Sequence, residues 1–176
     1  CIGDDMIGSM ILEHCQKNQI DTTFLKRDKE KITGINIGLI GEDGERTFIN
    51  NQSGSIWTFC PEDVELEAVC GGRILSFASI FNNPLLDKRL LLPLFRRAKE
   101  QDMIICADIV GAKKGERLED IAEALGYVDY FFPNYEEAKE LVKEKDIDKI
   151  ADVLLELGVK HVIIKTGRSG CLVKSK

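Results

Sequence analysis

Asn134 and Glu137 stand three residues apart in the run VDYFFPNYEEAKEL, residues 128–141. An amide and a carboxylate at that spacing do one of two jobs. They close a helix N-terminus, with the amide as N-cap and the acid reaching back to its N–H. Or they reach Mg²⁺, or its waters, beside a polyphosphate, because magnesium keeps much of its hydration and needs few protein ligands. The residues alone leave both open. Downstream, Lys165-Thr166-Gly167-Arg168-Ser169-Gly170 offers two glycines, a hydroxyl and backbone N–H groups. Such a turn lets backbone approach a nucleotide, and it also serves as a plain hairpin turn. Asp108 ends the apolar run Met103–Ala107; it reads as a substrate contact or as a helix-initiating acid.

What these three features share is position. Each follows the carboxyl end of an apolar, strand-like run, where open α/β sheets bind ligands. Val128–Phe132 is stopped by Pro133, which cannot donate to a ladder. Other strands are expected at Arg73–Phe77, Met103–Ala107, His161–Ile164 and Cys171–Val173, with a short one at Ile20–Phe24. Helices are expected after Gly3-x-Asp5-x-x-Gly8 (stripe Ile7, Met10, Ile11, Cys15), from Pro61 to Gly71-Gly72, and from Asn83-Pro84 to Ala98 with a kink at Pro93. Three more follow: Glu116–Leu125, one from Asn134, and one carrying Ile147, Ile150, Leu154 and Leu157 up to Gly158. Strands alternating with helices predict a mainly parallel sheet with right-handed crossovers. Residues 31–57 break the rhythm. Ile35, Ile37 and Leu39 alternate, Asp43-Gly44 is a hairpin turn, and Arg46, Phe48 and Ile49 follow, with Trp57 as anchor.

The totals narrow the classes. The net charge is −6 without a basic cluster, which argues against nucleic acid. No apolar run approaches the roughly 20 residues of a membrane span. The six cysteines form no C-x-x-C pair, so they read as buried reduced thiols of a cytoplasmic protein rather than zinc ligands or a disulfide framework. His14 and His161 read as structural. The chain opens on Cys1 and stops at Lys176 without polar tails, so an internal piece of a longer protein is expected.

These residues resemble the ribokinase-like, or PfkB-type, carbohydrate kinases over nearly the whole chain. Gly3-Asp4-Asp5-Met6-Ile7-Gly8 looks like that family's G-x-D-x-x-G helix entry, and Pro133-Asn134-Tyr135-Glu136-Glu137-Ala138 like its P-N-x-x-E-A motif. Ile32-Thr33-Gly34 leading to Gly44-Glu45-Arg46-Thr47-Phe48 is similar to its sugar lid. The turn 165–170 resembles T-x-G-x-x-G with Lys165 in the Thr place, so a hydroxyl role passes to Thr166. Asp108 stands where many members carry D-x-N-x-R, without the Asn and Arg.

The resemblance implies a three-layer α/β sandwich with a central, mainly parallel sheet, partial over 1–176, and a small β lid inserted at 31–57. It implies ATP-dependent phosphorylation of a sugar hydroxyl. Asn134 and Glu137 would manage Mg²⁺ and phosphates, and Lys165, Thr166, Gly167 and Gly170 would line the ATP site. Thr33, Gly34, Asn36 and Asp108 would contact the sugar. The lid would close over the sugar to exclude water, and pairing of lids would make a homodimer. The family's base, an Asp in a G-A-G-D run, does not occur in this chain, nor does the upstream glycine-rich sugar segment, so the chain alone is expected to be inactive. A nucleoside kinase of the same fold and a non-catalytic sugar or nucleotide sensor are the alternatives. A dinucleotide binder is disfavoured because no G-x-G-x-x-G follows an early strand.

Overall fold

The computed structural model describes residues 1–42, 44, 46–51, 53–83, 85–86, 88–112 and 115–176, with Lys88 by its backbone. Their contacts divide into two units, Cys1–Asp63 and Val64–Lys176.

The first unit is built on the G-x-D-x-x-G run. β1 (Ile2–Gly3) pairs in parallel with β2 (Arg27–Asp28), and α1 (Met6–Lys17) connects them. Asp5 is the N-cap of α1. Its Oδ1 accepts the Gly8 N–H at 2.7 Å and the Thr33 hydroxyl at 2.8 Å, and its Oδ2 accepts the Thr33 N–H at 2.7 Å. Thr33 Oγ1 in turn accepts the Gly3 N–H at 2.9 Å. These bonds, from Gly8 first and then Thr33, hold the Asp5 carboxyl below the usual carboxylate range. The glycine spacing has a steric cause: a Cβ on Gly8 would lie 2.2 Å from the Gly3 carbonyl oxygen. β3 (Asn36–Ile40) and β4 (Arg46–Asn50) form the expected antiparallel hairpin, pairing Ile37 with Ile49. Gly44 has a positive φ of 83°; Asp43 of the turn and Glu45 lie outside the described residues. The Trp57 indole N–H donates to the Asn51 carbonyl at 3.1 Å.

Three expectations for this unit change. Ile20–Phe24 is not a strand, because the Asp21 carboxylate accepts the Thr23 N–H and hydroxyl and so competes with a ladder; the pairing falls at Arg27–Asp28 instead. The stripe on α1 is only partly covered: Met10 and Ile11 are 59% and 38% exposed, while Ile7 and Cys15 are half-buried. Pro61 does not open an α-helix. It starts a three-residue 3₁₀ turn, Pro61–Asp63, and the second unit opens with another at Leu66–Ala68. Asp63 accepts the Cys60 N–H and pairs with Lys26 at 2.6 Å, which closes the turn at once.

The second unit is a five-stranded sheet in sequence order. β5 (Ile74–Ile80), β6 (Ile104–Ile109), β7 (Tyr130–Phe131) and β8 (His161–Lys165) are parallel, and β9 (Cys171–Ser175) returns antiparallel to β8. The crossovers carry α2 (Lys88–Glu100), α3 (Leu118–Leu125), α4 (Tyr135–Val142) and α5 (Ile147–Glu156). Each crossover steps one strand in the same direction, so right-handed connections put all four helices on one face. Burial agrees. Ile105, Ala107, Ile109, Phe131, Val162 and Ile164 pack with Leu94, Phe95, Leu125, Ala138, Ile150 and Leu154 in one core. The opposite face is more open, with Ile74, Ile104 and Val173 at 57%, 40% and 60% exposure.

That face also corrects the cysteine reading. None of the six is buried; Cys106 is half-buried and Cys171 exposed, because both point away from the helices. Burial, then the Asp129 carboxylate, pushes the Cys106 thiol up. α2 begins at Lys88, later than expected, since the Asn83 side chain instead accepts the Leu85 N–H at 3.1 Å; Pro84 lies outside the described residues. Pro93 sits inside α2.

Asp129 anchors the amino-terminal end of β7. It is 6% exposed, accepts the Ile105 N–H at 2.7 Å, and pairs with Lys99 and, at 2.8 Å, with Lys160. Burial pushes its carboxyl up, but the hydrogen bonds of Lys160, Lys99 and Ile105 outweigh it and hold the group below the usual range. Its stabilisation is therefore complete above the unfolded carboxylate pKa of about 4 and is lost as pH falls through the lower folded value. Asp129→Ala is expected to cost about 3 kcal/mol and flatten that acid limb, read from denaturant midpoints across pH. Gly8→Ala is expected to cost at least about 2 kcal/mol by the same measurement, since the colliding atom is backbone.

Candidate active site

The tips of β6, β7 and β8 bring Asp108, Asn134 with Glu137, and Lys165 to one edge. The local cause is the Pro133 stop. The strand ends, but pairing with β8 persists for one more step: the Lys165 N–H donates to the Pro133 carbonyl at 2.9 Å, and Asn134 bridges Lys165 in parallel. Asn134 then starts α4.

Its side chain and that of Glu137 form a reciprocal capping box. Asn134 Oδ1 accepts the Glu137 N–H, and Glu137 Oε2 accepts the Asn134 N–H, each at 2.9 Å. The cap reading is thus realised in full. It also fixes where the second carboxylate oxygen stands. Among the described residues, Oε2 is the oxygen of that carboxylate that accepts a hydrogen bond. Glu137 further lines a cavity of about 430 Å³ at this edge, with Phe81, Ile109, Glu119, Leu141 and Lys143.

Lys165 and Asp108 meet as well. The ammonium lies 3.2 Å from Asp108 Oδ2, linking β6 to β8 across the tip of β7. The turn beyond Lys165 is a short 3₁₀ segment, Gly167–Ser169. The Thr166 hydroxyl and N–H both donate to the Gly170 carbonyl, at 2.8 and 2.9 Å. Gly167 and Gly170 have φ of 62° and 91°, and a Cβ on either would meet open space. They are glycines for backbone conformation, not for lack of room.

Thr33, Gly34 and Asn36 belong to the first unit, at the root of the hairpin. The Thr33 hydroxyl is committed to Asp5 and Gly3. Gly34 is packed against Gly54, whose added Cβ would lie 2.7 Å from the Gly34 Cα. Asn36 is exposed.

The residues fit a lightly held magnesium ion. Among the described residues no group of three or more His, Cys, Asp or Glu side chains forms a cage. One available carboxylate oxygen beside an amide suits an ion bound mainly by water and phosphate oxygens.

The sequence reading passed over the end of β5. Its register with β6 shifts between Phe77 and Ile80, and Ser79 and Phe81 have φ of 60° and 73°. Positive φ at a serine and a phenylalanine is strained. The strain lies at the same carboxyl edge, yet neither strained position is a glycine or an asparagine.

His161 stacks on Tyr130, with centroids 4.6 Å apart, and its Nδ1 lies 2.8 Å from Ser175 Oγ. That is the structural role expected of it.

Comparison with known proteins bears on the fold and the family. The chain is 26% identical over 186 residues to a ribokinase of Staphylococcus aureus, covering 99% of this chain and 56% of that protein. It is 24% identical over 187 residues to a 2-dehydro-3-deoxygluconokinase of Haemophilus influenzae, covering 99% and 59%. It therefore spans somewhat over half the length of these relatives. The crystal structure of a ribokinase from Thermotoga maritima superposes with a TM-score of 0.75 at 25% identity, covering 100% of this chain and 55% of that one. A fructokinase from Xylella fastidiosa with bound ATP does so with a TM-score of 0.78 at 16% identity, covering 99% and 58%. The fold is ribokinase-like. The model of the pfkB family carbohydrate kinases matches residues 1–176, and the chain belongs to that family.

Proposed function

We propose that the protein carrying this chain transfers the terminal phosphoryl group of ATP to a hydroxyl of a small sugar. The observation that carries this reading is the meeting of Asp108, Asn134, Glu137 and Lys165 at the tips of three adjacent parallel strands. Phosphoryl transfer asks a protein mainly for positioning and for positive charge near the phosphates. Magnesium, when bound, neutralises the charge that develops on the phosphate oxygens. In this proposal Glu137 and Asn134 hold that ion through water. Thr166, Gly167 and Gly170 line the nucleotide, and Lys165 faces its phosphates.

Asp108 is proposed for the acceptor sugar at the edge of the sheet. Within the first unit, Thr33 fixes the backbone from which Gly34 and Asn36 extend. The sugar hydroxyl gives up its proton to a base as its oxygen bonds to phosphorus and ADP leaves. The family resemblance assigns that base to a G-A-G-D aspartate, a run absent from these 176 residues. The isolated chain is thus expected to consume no ATP in the presence of sugars.

The exposed hairpin supports a homodimer through the lid. Ile37, Leu39, Phe48 and Ile49 are each at least half exposed, more apolar surface than a two-stranded hairpin keeps in water.

Two substitutions separate structure from chemistry. Glu137→Gln retains a capping side chain and removes the charge, so thermal stability is expected to hold within about 0.5 kcal/mol. Magnesium-dependent sugar phosphorylation by the full reading frame should fall at least about 100-fold, the scale of a lost charge-stabilising group. Asn134→Ala should cost about 1 kcal/mol of stability through the lost cap. A Glu137→Gln protein with full activity and unaltered magnesium dependence removes this carboxylate from the reaction and leaves the capping box as its whole purpose. Ile37→Ser with Ile49→Ser is expected to shift the sedimentation of the protein from dimer to monomer.

A further inference from the structure

The ion pair between Lys165 and Asp108 is unlike the other charged link across these strands. Asp129 is buried, takes two lysines and a backbone N–H, and is part of the core. Asp108 takes one lysine, and both partners reach solvent, the side chains being 34% and 47% exposed. An exposed pair of this kind is weak and exchanges readily.

Its geometry also depends on the side chain at 165. β6 and β8 are separated by β7, so their backbones lie about 10 Å apart at ordinary strand spacing. A lysine spans that gap to a carboxylate; a threonine at the same place does not. The lysine's own root is fixed, because its N–H is bonded to Pro133 and its strand position bridges Asn134. What remains free is the rotation of a long arm about a rigid anchor beside the Asn134–Glu137 cap.

We propose that Asp108 holds Lys165 in reserve, and that the ammonium moves from this carboxylate to a phosphate of the nucleotide on binding. The proposal rests on the phosphotransfer reading given above. Asp108 then acts as an internal stand-in for the phosphate: it keeps the cation ordered over the tip of β7 and competes with the ligand for it. A polyphosphate carries more negative charge than one carboxylate, so the exchange runs toward the nucleotide. Once the lysine leaves, Asp108 is free as an acceptor on the same edge.

Calorimetric titration of the full reading frame with ATP and Mg²⁺, without sugar, tests the exchange. Asp108→Asn is expected to tighten ATP binding about two- to fivefold, the range set by loss of a weak exposed competitor. Lys165→Met is expected to weaken it about tenfold, while leaving the affinity for adenosine, which has no phosphate, unchanged. In the Lys165→Met background, Asp108→Asn should have no further effect, because the competition it relieves is gone. Asp108→Asn that leaves ATP affinity unaltered or lowers it overturns the proposal, as does an Asp108→Asn effect that persists without Lys165. Equal losses for adenosine and ATP in Lys165→Met overturn it too, by showing that the lysine supports the turn rather than a phosphate. Failure of the unsubstituted protein to bind ATP at all is a different result: it removes the phosphotransfer reading itself, and this exchange with it.

Discussion

One constraint organises the second unit: four parallel strands lie side by side in the order in which the chain makes them. Successive right-handed crossovers that never reverse direction force the helices onto one face and the carboxyl ends onto one edge. Chemistry at that edge needs no long-range coincidence. Asp108, Asn134 and Lys165 are neighbours because β6, β7 and β8 are. The two ends of β7 divide the work. Asp129 enters the strand as a buried, doubly paired carboxylate that fixes its register against β6. Pro133 and Asn134 leave it by stopping the ladder and starting α4.

The capping box at that exit does more than end a strand. A helix start with unpaired N–H groups is mobile, and side chains on it are poorly aimed. Here Asn134 and Glu137 hold each other through two backbone bonds. The carboxylate that the family likeness connects with magnesium is thereby presented in one orientation. Capping takes one oxygen of Glu137 and leaves the other for the ion proposed above, so the two uses of the pair are compatible. The same economy holds at Asp5, where one carboxylate caps α1 and clasps Thr33.

Periodicity was a good guide wherever local chemistry and packing agreed. The strands from β5 to β9 and the helices α3, α4 and α5 could be read directly, because apolar spacing and acidic starts coincide there, with glycine stops after α3 and α5. It failed where a side chain served a purpose no pattern shows. Asp21 and Asp63 each folded back on a nearby N–H and replaced a strand and a helix with turns. The cysteines of β6 and β9 looked buried because apolar strands usually are, yet they face the side without helices. At the site, the Asn134–Glu137 spacing announced itself, whereas the Lys165–Asp108 pair could not be seen before strand order was known. The strained end of β5 left no trace in residue types at all.

The placement of the aromatic residues has a practical consequence. The single tryptophan, Trp57, lies in the first unit, and all three tyrosines, Tyr127, Tyr130 and Tyr135, lie in the second. Light absorbed at the red edge of the aromatic band excites the indole alone. Its fluorescence therefore reports on the amino-terminal unit, while tyrosine absorbance follows the parallel sheet. The two halves of the chain carry separate optical labels, with no dye or engineered residue required.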